Sequence, residues 1–164
     1  MKKNLLALVV LVLVFASGSL YAQKNTDIEK NKDFIEVFTK DFWNKQNIAA
    51  FETYFTSDYI YHNAEGDMNA EQYKGLCQAY LSAFPDLHIT TDYLVAEGDR
   101  VVKVWTAHST HTSDFMGIPA SGKSIVIKGI EMFRIADGKI AELWACMDNL
   151  GMLQQLGVIP PMGE

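Results

Sequence analysis

Several kinds of chemistry are missing from this sequence, and each absence removes a class of function. There is no glycine-rich phosphate loop and no dinucleotide-binding fingerprint. No serine sits in a nucleophile-elbow pattern. The two cysteines, Cys77 and Cys146, lack the paired spacing of a zinc site. Basic clusters are also missing, with 14 Lys and Arg against 20 Asp and Glu for a net charge of −6. An acidic chain of this kind repels nucleic acid and anionic membrane surfaces, so neither is an expected partner. Internal repeats and low-complexity linkers are absent too.

What is present suits one domain. The 164 residues are 49% hydrophobic and 12% aromatic, which supports a packed core and argues against disorder. The N-terminus is a different material. Lys2 and Lys3 precede an unbroken apolar run over 5–16, and 17–22 are mostly small or polar. This is the layout of a secretory signal peptide cleaved after Ala22. The run is too short to span a bilayer, which takes about 20 residues. An uncleaved N-terminal anchor is the rival reading. Losing 1–22 removes two lysines and no acids, taking the charge from −6 to −8. The expected organisation is a leader over 1–22 and one domain over 23–164. The product would be periplasmic or secreted, with no membrane attachment after processing. In it, Cys77 and Cys146 are expected as two buried free thiols rather than a disulfide.

Helices come first along the chain. Thr26 with Glu29 forms a capping box, and Phe34, Ile35, Phe38 and Phe42 recur at helical spacing to about 46. A short second helix is expected over 48–55, with Phe51, Tyr54 and Phe55 inward, then an aromatic strand over 58–62. Asn69 with Gln72 caps a third helix that Pro85 ends near 84. Four long strands follow over 87–97, 100–111, 124–135 and 139–148, with turns at Gly98-Asp99 and Asp137-Gly138. The loop 116–123 separates the middle two, and 150–156 is a terminal helical turn. Helices followed by an antiparallel meander give an α+β domain. Pattern alone does not supply a pocket.

The polar candidates are few. His108 and His111 differ by three on an expected strand and should point to opposite faces, so no metal site is expected. Asp148 ends the last strand on the face of Trp144 and Cys146. It could be a desolvated acid/base group or simply the N-cap of the next helix. His111 could donate a hydrogen bond to a carbonyl oxygen or be an ordinary strand-end histidine. Tyr61, His62, Trp105 and Trp144 are candidates for lining a cavity, or for plain core and rim positions.

The stretch TAHSTHTSDFMGIPASGKSIVIKGIEMFRIADGKIAELWACMDNLGMLQQLGVIP resembles the second half of SnoaL-like polyketide (ester) cyclases. Upstream, FWNKQN, YIYHN and AFPDLHITTDYLVAEGDRVV are similar as well, so the likeness runs over about 33–160. The family's G-T-H is here Ser109-Thr110-His111, and its P-P-T-G-K is Pro119-Ala120-Ser121-Gly122-Lys123. The resemblance implies a cone-shaped, nuclear transport factor-like (cystatin-like) barrel: three N-terminal helices packed in a curved antiparallel sheet around a deep pocket. It implies chemistry without cofactor or metal, as in ring closure of a polyketide ester by intramolecular aldol condensation. It makes Asp148 the acid/base residue and His111 its companion. Tyr61, His62, Trp105 and Trp144 would then bind the substrate. The expected activity is cyclase- or isomerase-type chemistry on a small apolar carbonyl compound or ester. The alternative is a non-catalytic periplasmic protein that binds a small apolar ligand. A homo-oligomer is compatible with either.

Overall fold

A computed structural model describes residues 26–160. The expected leader over 1–22 lies outside the described residues. Helix α1 covers 26–38 and widens into a π-helical turn, Thr39–Asn44. Ile35, Phe38 and Phe42 form its buried stripe, as their spacing predicts. Thr39 is buried beside them, and its hydroxyl donates to the Ile35 carbonyl at 2.9 Å.

The expected second helix is shorter than its pattern. Ile48–Ala50 is a 3-10 turn and α2 is only Phe51–Tyr54. Phe55 is already extended and opens strand β1, Phe55–His62. The β-branched and aromatic residues after it favour strand over helix. Strand β2, Met68–Asn69, leads into α3, Ala70–Ala83. The expected capping box is present: Asn69 accepts from the Gln72 N–H at 3.0 Å, and Gln72 accepts from the Asn69 N–H at 2.9 Å.

The meander follows as β3 His88–Glu97, β4 Arg100–Thr110, β5 Ser124–Ala136 and β6 Lys139–Met147, closed by α4, Asn149–Leu156. The sheet order is β2-β1-β6-β5-β4-β3. One expectation needs correction here. The sheet is mixed rather than antiparallel, because β1 lies parallel to β6. The intervening α3 and four further strands form the long crossover that parallel neighbours require. Nor does the sheet close into a barrel: β2 and β3 are its two edges.

Strand alternation sorts the side chains. Val101, Lys103, Trp105, Ala107 and Ser109 of β4 point to the helix-covered face and are buried. So do Ile125, Ile127, Gly129, Glu131, Phe133 and Ile135 of β5, by the same period of two. Aromatic rings from α1, α2, β1 and α3 fill the space above them, with Phe38, Phe42, Phe51, Phe55 and Tyr73 in mutual contact.

Candidate active site

The helices do not fill the whole inner face. Between α3 and the sheet lies an apolar cavity of about 90 Å³. Tyr61 of β1, Tyr73, Cys77 and Tyr80 of α3, and Trp105, Ile127, Leu143 and Met147 of the sheet are in its wall. Ligand sites are commonly apolar clefts of this type with a few fixed polar groups. Cys77 is buried and free, and burial pushes its thiol up, so it is not a nucleophile. Burial first, then the charge of Glu131, pushes the Tyr61 phenol up as well.

Glu131 is the only carboxylate in that wall among the described residues. It sits opposite Lys103 in the β4–β5 register. The Lys103 side chain is 1% exposed and the Glu131 side chain 13%. Lys103 Nζ stands 2.9 Å from Glu131 Oε2, an ion-pair distance. The approach is off the axis of a hydrogen bond, so Oε2 has no aligned donor. Lys103 donates instead to the Thr39 hydroxyl at 3.2 Å and lies 5.3 Å from the centre of the Phe133 ring. The widened turn of α1 thus supplies the oxygen that anchors the buried ammonium. The Trp105 indole N–H is also buried without a partner.

The residues singled out from sequence divide between cavity, loop and outer face. Tyr61 and Trp105 are in the cavity wall. His62 and Trp144 are not, because both follow the outward row of their strands. Their rings stack on the other face of the sheet at 4.4 Å. There His62 Nδ1 meets Asp67 and Nε2 meets Glu142, each at 2.9 Å. Cys146 shares the outer face and is exposed, which corrects the expectation of two buried thiols.

Asp148 also lies outside the cavity wall. It is exposed and accepts the Gly151 N–H at 2.8 Å, capping α4. Gly151 permits the close approach: a Cβ there would stand 2.2 Å from the carboxylate. His111 is fully buried and stacks on Phe84 at 5.2 Å. Its Nδ1 accepts the Ser121 N–H at 3.2 Å, and its Nε2 is buried without a partner. Its backbone pairs with Gly122 and Lys123, so it fastens the loop 111–123 across the end of the cavity, where Phe115 packs on Phe84 and Tyr80. His108 is exposed on the outer face. Among the described residues no three His, Cys, Asp or Glu gather as a metal site would need.

Lys103 and Glu131 are the residues that sequence reading missed. Their signal was available: each is a charge on an inward row, flanked at two-residue spacing by Val101 and Trp105 or by Gly129 and Phe133.

Comparison with known proteins agrees with the architecture. The family model for SnoaL-like polyketide cyclase matches residues 35–156. No curated protein matches the sequence. Solved structures do. AclR of Streptomyces galilaeus, a candidate hydroxylase, is 25% identical with a TM-score of 0.76, over 84% of this chain and 87% of its own. TsrD of Streptomyces laurentii is 29% identical with a TM-score of 0.71, over 80% of this chain and 97% of its own. IdmH of Streptomyces antibioticus, a candidate polyketide cyclase, is 30% identical with a TM-score of 0.67, over 77% of this chain and 98% of its own. The chain belongs to the SnoaL-like polyketide cyclase family.

Proposed function

We propose that this SnoaL-like chain is an exported cyclase- or isomerase-type enzyme. It performs cofactor-free acid/base chemistry, either aldol closure or enolisation, on a small, largely apolar carbonyl compound or ester. The observation that carries this reading is an apolar, aromatic-walled cavity holding a single carboxylate. Such a wall excludes water and folds a ligand so that two of its carbons meet. The carboxylate supplies the means to move a proton. The unpartnered Trp105 indole N–H supplies a donor for a carbonyl oxygen. The candidate hydroxylase among the similar structures is a reminder that this fold serves more than one reaction, so the site and not the fold carries the reading.

One observation favours the alternative of a non-catalytic binding protein: Asp148 and His111 both stand outside the cavity wall. A simple ketone separates the two readings. The purified protein is titrated with 2-tetralone by tryptophan fluorescence, and deuterium uptake at the ketone's α-carbons is followed by NMR in heavy water. An enzyme binds the ketone saturably and exchanges its protons faster than buffer does. Binding with exchange at the buffer rate supports the carrier. Absence of binding removes both readings.

A further inference from the structure

We infer that Glu131 is the catalytic acid/base of this cavity and that Lys103 is the group that holds it in readiness. The inference rests on the enzymatic reading above and assigns its proton transfer to a pair of residues.

The pair is costly as mere scaffolding. A buried Lys–Glu pair gives up the hydration of two ions, and apolar residues of similar size are often as stable in its place. Here the pair is not sealed inside the core. Glu131 reaches the cavity wall, while its partner is anchored behind it by Thr39 and Phe133. Three of Glu131's surroundings are phenols or thiols, Tyr61, Tyr73 and Cys77, whose ionisation is opposed first by burial and to a lesser degree by its charge. They are neutral neighbours, which leaves Glu131 as the one carboxylate in the cavity wall among the described residues. Oε2 lacks an aligned hydrogen-bond donor although the ammonium is 2.9 Å away. Lys103 therefore balances the carboxylate's charge without a directed bond to that oxygen.

That arrangement suits enolisation. The carboxylate takes a proton from the carbon next to the substrate carbonyl. The C–H electron pair moves into the new C=C bond, and the carbonyl pair moves onto oxygen. Before the step the pocket holds Glu131 negative and Lys103 positive. After it the pocket holds neutral Glu131, positive Lys103 and a negative enolate. Net charge in and around the low-dielectric cavity is zero throughout, because the ammonium behind Glu131 balances the negative charge before and after the transfer. Protonated Glu131 then returns its proton to another carbon, completing an isomerisation. If the enolate carbon has attacked a second carbonyl, the proton goes to the new alkoxide. No oxidant, reductant or metal enters the balance.

The test uses 2-tetralone α-proton exchange together with binding, in the parent, in Glu131→Gln, and in a Lys103→Met/Glu131→Gln double variant. The double variant guards against misfolding, since it leaves no unpaired buried ammonium. The expected result is a loss of catalysed exchange of about 10²-fold or more in a folded variant that still binds the ketone. Exchange at the parent rate in either folded variant overturns the assignment and leaves the cavity's enzymatic function standing. A parent that binds without exchange, or does not bind, fails the functional reading itself, and the assignment falls with it.

Discussion

The Trp105 indole fills the space that a side chain on Gly129, its partner across β4 and β5, would occupy: a Cβ on Gly129 would stand 2.4 Å from the ring. Glycine at this point is a requirement of the cavity wall, since any other residue displaces the ring that forms it. Gly129→Ala should overpack the site and cost about 1–3 kcal/mol of stability. The ring should move toward the cavity and weaken 2-tetralone binding. Urea unfolding and fluorescence titration check both effects.

A second prediction concerns the α4 cap. Asp148→Ala should lower stability by about 1 kcal/mol, while Asp148→Asn should change it little, because asparagine caps as well as aspartate. Urea denaturation measures this. The Asn variant also addresses the acid/base role that the family resemblance assigns to Asp148. If it loses exchange activity by about 10²-fold or more while Glu131→Gln does not, proton transfer belongs to Asp148.

On the outer face, His62 is positioned to make stability depend on pH. Both ring nitrogens meet carboxylate oxygens, from Glu142 and Asp67, and Arg134 pairs with Glu142 as well. The Glu142 hydrogen bond is the largest effect and raises the histidine's pKa; burial opposes it, and Asp67 adds a smaller rise. A raised folded pKa gives stability that is complete below the unfolded value, about 6.5. That stability is lost as pH rises through the folded value. Glu142 is shifted down, first by His62 and then by Arg134. Its contribution is present above the unfolded carboxylate value and lost as pH falls through the folded one. The melting temperature of the parent should therefore fall from mildly acidic to mildly basic pH. His62→Asn should flatten that fall, and an unchanged slope in the variant would show that the pairing carries none of it.

Much of the fold is legible in short-range pattern. The Asn69–Gln72 capping box, the meander strands and the α1 stripe all follow from local spacing. The parallel pairing of β1 with β6 is not local, and no period announces it. The site turns on a single ambiguity of alternation. A period of two groups Trp144, Cys146 and Asp148 on one face, but it does not say which face is covered. Leu143, Ala145 and Met147 are the row that lines the cavity. That one inversion puts Cys146 and Trp144 outside. Motif likeness draws the eye to Asp148 and His111 near strand ends, whereas the cavity's charges sit mid-strand at Lys103 and Glu131.

The most direct test of the account is a crystal structure with 2-tetralone bound. The account predicts the ketone between α3 and the sheet, with its α-carbon against the Glu131 carboxylate and its oxygen facing the Trp105 indole N–H. A ketone seated instead beside Asp148, or on the outer face against His62 and Trp144, would contradict it.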